Sequence, residues 1–417
     1  MPMHQLDLRV RKILETLRAL RVRSAAPLAN IEILSSPDGS WESFANGAEW
    51  GQTRKENWTW FRFSVHIPHD FPPGDAALRV LTGREGNWEA VHPQFLAYLD
   101  GREEQAFDTR HHEMRLPDAS PGRSYTVRLE AYAHAESHGM PPVPPRLQVD
   151  LLCLCPETDA LYYDLFVPWE AATLLPEGSR ERERLLYALS DAVNLLDLRA
   201  PYTPAFLDSV EQARRFLRES LYAPLQGREP EAIATCVGHS HIDVAWLWDI
   251  EQTRHKAART FSTMLKLMER YPEFTFMSSQ AQLYQFVKED HPALYARIRE
   301  AIRRGQWEPE GGMWVEADCN LISGESIVRQ LLYGNEFFQT EFGHRCRILW
   351  LPDVFGYSAA LPQILKKSGI KYFFTSKLSW SEFNLFPYDT FVWRGIDGSE
   401  VLTHFTPSRD YCGGGTY

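Results

Sequence analysis

Residues 58–68, WTWFRFSVHIP, alternate between apolar and polar positions. Phe61, Phe63, Val65 and Ile67 fall on one face, and Arg62, Ser64 and His66 on the other. A period of two marks a strand with one buried face. FLAYLDG, SYTVRLEAYA and RLQVDLLCLC repeat the pattern between Pro, Gly and Asp turns, which predicts an antiparallel β-sandwich over residues 31–156. Before it, Leu6, Val10, Ile13, Leu14, Leu17 and Leu20 recur at helical spacing, so residues 1–30 read as an amphipathic helix. After it, SRERERLLYALSDAVNLLDLRA and TPAFLDSVEQARRFLRESLYAP carry the three-and-four spacing of helices with solvated polar faces, a helical connector over 157–228. From 229 to 417 the rhythm becomes strand, helix, strand, helix. AIATCVGHSH, FTFMSS, WEPEGGMWVE, RCRILWLPDV and KYFFTSK are the strands, with amphipathic segments between them. Such alternation implies a parallel sheet, open or closed, and polar residues collect at the strands' C-terminal ends, where parallel α/β folds place their sites.

A chain of 417 residues exceeds one ordinary core, in keeping with a multidomain reading. With 44 basic against 55 acidic residues the net charge is −11, which argues against a nucleic-acid partner or a basic membrane face. The 13 tryptophans suit sugar-stacking clefts but equally fill cores. The N-terminus has no uninterrupted apolar run of the secretory kind, and Asp7 and Glu15 argue against a transit peptide. No stretch is long and apolar enough to span a bilayer. Six cysteines (153, 155, 236, 319, 346 and 412) are scattered and form no disulfide framework, so a reduced, cytoplasmic protein is expected.

Three blocks carry candidate chemistry. In GHSHIDVAWLWD (238–249), His241 and Asp243 sit two apart, so on a strand an imidazole and a carboxylate converge on one point. Both are good ligands for zinc or a similar divalent ion; His239 shares the face as a ligand or as support. The plain alternative is a polar strand end. In EPEGGMWVEADCN (308–320), Gly311 and Gly312 let the backbone approach something closely, and Asp318 is placed to reach a metal on the first strand, with Glu308, Glu310 and Glu316 as rivals. In WLPDVFGYSAALPQIL (350–365), Asp353 ends an apolar strand before a turn at Gly356, where capping a helix or turn is its ordinary role. The His pair of DTRHHEMRL (108–116) reads as a loop or strand surface rather than a metal site, because consecutive strand residues point to opposite faces. GxSxG, Walker A, HExxH and the Rossmann glycine fingerprint are missing, and CGGGTY at the end has no following helix on which to judge phosphate binding.

HSHIDVAW, GGMWVEAD and LPDVFGYS, in this order, resemble glycoside hydrolase family 38, the α-mannosidases, and most closely its cytosolic and bacterial branch. The resemblance covers most of the chain: the sandwich is similar to that branch's N-terminal β-domain, and the part from 231 onward to the start of a (β/α)₇ barrel. It implies that His241 and Asp243 are zinc ligands and that Asp318 both ligates zinc and attacks the anomeric carbon. Trp246 would pack against the bound mannose, Asp353 would support the substrate site, His239 would back the ligands and Trp248 would be core. Tyr357 stands where many relatives have His, so no role carries over to it. The implied chemistry is hydrolysis of terminal α-mannosides of an oligosaccharide or glycan with retention, through a mannosyl-Asp318 intermediate; retention requires a second carboxyl group about 5–5.5 Å from the nucleophile. The N/O ligands admit Zn²⁺, Co²⁺ or Mn²⁺. The family's fourth zinc ligand and its acid/base carboxylate lie further along longer chains, so the barrel is expected to be truncated here, and neither His404 nor Asp410 sits in a matching motif. A homo-oligomer is left open. The rival readings are a metal-dependent polysaccharide deacetylase and a non-catalytic carbohydrate-binding fragment.

Overall fold

The computed structural model describes residues 3–51, 56–88, 92–134, 144–225, 227, 229, 233 and 235–411. Cys412, the glycine-rich end and part of the AIATCV run lie outside the described residues. The fold mixes helices with several antiparallel and parallel sheets. It divides into two compact units, Met1–Gln94 with Phe107–Ala234, and Phe95–Ala106 with Thr235–Gly415.

In the first unit, helix Met3–Leu20 buries Leu6, Val10, Leu14 and Leu17, the stripe its spacing predicts. Residues Val22–Pro27 then form a strand antiparallel to Gln148–Leu154 instead of prolonging the helix. Three further helices, Pro156–Leu174, Arg180–Asn194 and Pro204–Leu217, share one core with the first: Val10, Leu14 and Leu17 meet Leu161, Leu165, Leu189, Phe206 and Val210. Ser179 and Thr203 start two of them, their hydroxyls accepting from the N–H groups of Arg182 and Phe206. The helix from Pro156 has no apolar stripe to betray it, because Tyr163 and Val167 are exposed while Leu161 and Leu165 are buried.

One antiparallel sheet of this unit runs Val22–Pro27, Gln148–Leu154, Ala76–Leu81, Glu113–Arg115, and the other includes Glu42–Phe44, Ile31–Leu34, Glu56–His66 and Ser124–His134. Phe61, Phe63 and Val65 are buried opposite Leu129, Val127 and Tyr125, so the alternation seen in sequence is the pleat of this ladder. The His pair lies where a loop enters the short strand Glu113–Arg115. His111 Nδ1 is fixed 3.0 Å from Asp108, and neither histidine joins a metal-ligand cluster among the described residues.

The second unit is built of parallel strands met in sequence order. Gly238–His239, Phe276–Ser278 and Trp307–Pro309 pair as neighbours. Gly311 then bridges in parallel to Leu349, and Ile348–Leu351, Tyr372–Thr375 and Glu400–Phe405 follow. Helices Ile250–Arg270, Ala281–Asp290, Pro292–Arg303, Gly324–Phe342 and Leu361–Lys367 make the crossovers. Thr390–Arg394 is an antiparallel partner of the last strand. The core holds Phe261, Phe276, Tyr284, Trp307, Phe338, Leu349 and Phe373. Its polar tips are satisfied: Trp307 Nε1 donates to Tyr284 Oη at 2.8 Å, which donates to the Ser278 carbonyl at 2.9 Å. Residues 95–106, whose sequence reads as sandwich strand, join this unit through the Ala106 N–H on Thr263 Oγ1, Arg297 on the Glu103 carbonyl, and an ion pair between Lys266 and the buried Glu104. No described helix is long and apolar enough to cross a membrane.

Gly311 shows how closely the loops approach. It has φ +142°, and a Cβ there would stand 2.6 Å from Ser279 Cβ. Gly311→Ala should therefore destabilise this unit by about 1–3 kcal/mol, the range for a strained backbone position, read as a lowered denaturation midpoint; an unchanged midpoint would mean that the two backbones have room to separate.

Candidate metal centre and active site

Parallel pairing brings all the strand exits to one end of the second unit. His241 and Asp243 lie two and four residues past His239, Asp353 two past Leu351, and Lys377 two past Thr375. Since Leu351 is the register partner of Thr375, Asp353 and Lys377 emerge side by side. The turn after Trp307–Pro309 supplies Glu316 and Asp318.

His241 is the centre of this end. Its Nε2 lies 3.2 Å from Asp243 Oδ1 and 3.4 Å from Asp353 Oδ2, and its Nδ1 lies 2.8 Å from Glu316 Oε2. One ligand atom each from His241, Asp243 and Asp353 falls within 4.8 Å of the others. Glu316, 5% exposed, stands against Nδ1, while Nε2 faces the two aspartates. One imidazole and two carboxylates form a donor set that fits a divalent cation of the zinc, cobalt or manganese kind.

The electrostatics point the same way. Burial lowers the His241 pKa, but Glu316 and Asp243 raise it more, to about 10. Three carboxylates around one ring demand positive charge, and in the metal-free state the ring itself supplies it. His239 behaves oppositely, pushed down to about 4 by burial. Its Nε2 is 3.4 Å from Ser279 Oγ, which donates to Glu316 Oε1 at 2.6 Å, so Ser279 links His239 to the carboxylate behind His241.

Asp353 has a second partner that motif reading missed. The Lys377 ammonium, 3% exposed, pairs with Asp353 Oδ1 and lies 3.2 Å from the centre of the Trp380 ring. No local signal marks Lys377; only the strand register does. Glu316 was visible in sequence as a rival to Asp318, but not its place behind His241.

Asp318 is outside the three-residue cluster. Its Oδ1 accepts from the N–H groups of Asn320 at 2.8 Å and Leu321 at 3.1 Å, which folds the loop into a tight turn. Trp246 is 52% exposed, edge-on to Trp248 at 5.4 Å. Trp248, expected in the core, is only half-buried; its Nε1 donates to the Asp243 carbonyl and braces that ligand's backbone. The Tyr357 hydroxyl, kept protonated by burial, staples the Asp353 loop through the Val354 carbonyl at 2.9 Å and Thr375. His404 bonds Thr390 at 2.8 Å and stands apart from the cluster. A second group, Glu310, His344 and Cys346, lies where strand Ile348–Leu351 begins. Glu310 is already committed there to the N–H groups of Arg347 and Ile348 and to His344 Nε2.

Residues 232–416 match the family described as the glycosyl hydrolases family 38 N-terminal domain. The chain carries a family 38 domain. It is 44% identical to Alpha-mannosidase G of Dictyostelium discoideum over 61% of this chain and 23% of that one. It is 38% identical to human Alpha-mannosidase 2C1 over 85% of this chain and 34% of that one. With the Alpha-mannosidase of Saccharomyces cerevisiae it shares 33% identity over 85% of its length and 33% of the relative's. The chain thus spans about a third or less of the relatives it matches. The family 38 match favours glycoside hydrolysis over the deacetylase reading.

Two outcomes follow for the metal-free family 38 domain. The folded-state pKa of His241 lies above the ordinary value, so its stabilising contribution is complete below about pH 6.5 and is lost as pH rises through about 10. The folded-state pKa of His239 lies below that value, so stability falls as pH drops from about 6.5 towards about 4, where the unfolded chain binds the proton first. Denaturation across this range should show both limbs, and Glu316→Gln should flatten the alkaline one. Lys377→Met should cost about 3–5 kcal/mol by leaving Asp353 without its buried counter-charge, measured by denaturant titration; a loss under about 1 kcal/mol, the scale of an exposed pair, would mean that the pair is hydrated.

Proposed function

We propose that the chain supplies the nucleophile and the divalent-cation site of a retaining hydrolase of terminal α-mannosides of an oligosaccharide or glycan. The cation is held by His241, Asp243 and Asp353, and without the family's acid/base carboxylate the chain turns over poorly by itself. The observation that carries this reading is the convergence of those three side chains at the strand exits, with Glu316 behind His241. It is supported by three relatives named as α-mannosidases. The sequential parallel strands are then read as an arc of a (β/α)₇-type barrel, and the antiparallel sheets of the first unit as a sandwich.

In this reading Asp318 is the nucleophile and joins the cation's ligands, a role that rests on the GGMWVEAD motif. Its carboxylate attacks the anomeric carbon as the bond to the leaving oxygen breaks, and that oxygen would take its proton from the family's acid/base carboxyl group, a role given to no residue of this chain. Water then cleaves the mannosyl-Asp318 ester, and two inversions amount to retention. The exposed Trp246 ring offers the flat apolar face on which a pyranose packs. When bound, the cation, zinc or its cobalt and manganese equivalents, supplies a Lewis acid that gathers neighbouring sugar hydroxyls. His241 and Asp243 orient it, and Lys377 holds Asp353 in place. A cytoplasmic location belongs to the same proposal, supported by cysteines 153, 155, 236, 319 and 346, all unpaired.

A fluorinated mannosyl fluoride that stalls the second step should leave one covalent label, found by peptide mass spectrometry on Asp318 and absent from Asp318→Ala. Label on another carboxylate, or release of mannose of inverted configuration from an aryl α-mannoside, would overturn the assignment. His241→Ala should abolish stoichiometric Zn²⁺ or Co²⁺ binding; retention of a full equivalent would remove the cation site.

A further inference from the structure

Of the six described non-glycine residues at positive φ, Gln280 alone is buried, 3% exposed, with φ 64° and ψ 92°. A side chain bearing a Cβ is sterically disfavoured there, and such conformations persist only where the surroundings hold them in place. Gln280 lies two residues past strand Phe276–Ser278, at the same end as the candidate cation ligands. Both ends of its amide are used. Nε2 donates to the Ile242 carbonyl at 2.8 Å, and Oε1 accepts from the Glu316 N–H at 3.1 Å. A carbonyl on one side and an N–H on the other settle which atom of the amide is which.

The two partners are specific. Ile242 stands between His241 and Asp243, so its carbonyl belongs to the backbone that carries both ligands. Glu316 is the carboxylate behind His241 Nδ1. Next along the chain, the Gln282 N–H donates to the Trp314 carbonyl at 3.0 Å, tying the same loop again. The strained turn therefore aims one amide across the gap between the loop that presents the imidazole and the loop that orients it. A glutamine used only for folding has no need of positive φ, since an ordinary helix N-terminus leaves this position extended.

We propose that Gln280 is a positioning residue for the divalent-cation site, its side-chain amide setting the placement of His241 and Asp243 relative to Glu316. This rests on the cation reading above. The test is Co²⁺ titration of the metal-free full chain by calorimetry and visible absorption, alongside its thermal unfolding. Gln280→Gly relieves the backbone and removes the amide. Co²⁺ affinity should fall about 10–100-fold, the scale for lost support of a metal ligand, with the metal-free unfolding midpoint unchanged or raised. Gln280→Asn tolerates the same φ but is one methylene shorter, too short to serve both loops, and should fold as wild type and lose affinity to an intermediate degree. Wild-type affinity and spectrum in both variants would overturn the role while leaving the cation site standing. A loss of affinity matched by an equal loss of thermal stability in both would also overturn it, and assign Gln280 to the fold alone. If the wild-type chain itself takes up no Co²⁺, the cation reading falls first.

Discussion

A histidine ring set among Asp243, Glu316 and Asp353 in a largely buried setting is the constraint around which the second unit is arranged. Three carboxylates at such range repel one another, and burial weakens the solvent screening that would make this tolerable. Positive charge has to be present. Lys377 supplies one unit against Asp353, and the imidazole supplies another by holding its proton to about pH 10. A divalent cation at Nε2 would replace that proton and meet the same electrostatic demand more fully.

The fold meets this demand by rigidity. Parallel pairing delivers His241, Asp353 and Lys377 to one end of the sheet, and short polar ties then set the loops. Trp248 braces the Asp243 backbone, Tyr357 staples the Asp353 loop, Ser279 and Gln280 hold the Glu316 loop, and Gly311 lets that loop pass against Ser279. These side chains come from separate strand exits, so no single loop can shift without disturbing the balance of charge around His241. The opposite end of strand Ile348–Leu351 has Glu310, His344 and Cys346 close together, yet Glu310 is spent on backbone N–H groups, which suits a structural cap.

Much of this was legible locally. The alternation through Phe61, Phe63 and Val65 and the helical stripe from Leu6 to Leu17 depend on spacing alone, and both faces are buried where spacing put them. Patterns without contrast were not legible. Helix Pro156–Leu174 falls in the stretch that reads as helical, but it is apolar on several sides and spacing does not mark its buried face, while strands Thr390–Arg394 and Glu400–Phe405 alternate too briefly to stand out. Trp248 was misplaced because a tryptophan's volume says nothing of the carbonyl its N–H will find.

For the site the division is sharper. The two-residue spacing of His241 and Asp243 marks them as a pair on an extended chain, but both lie in the loop past strand Gly238–His239, so their convergence belongs to the folded loop. That Asp353 completes their cluster, Lys377 pairs with it, and Glu316 rather than Asp318 lies behind the ring depends on which strands are neighbours and in what register. Those partners are 24 to 112 residues apart in sequence, taking Asp353–Lys377 and His241–Asp353 as the extremes. The chain by itself determined which groups were available for chemistry and on which faces they stood. Only the folded sheet decided their distances, and charges act through distance.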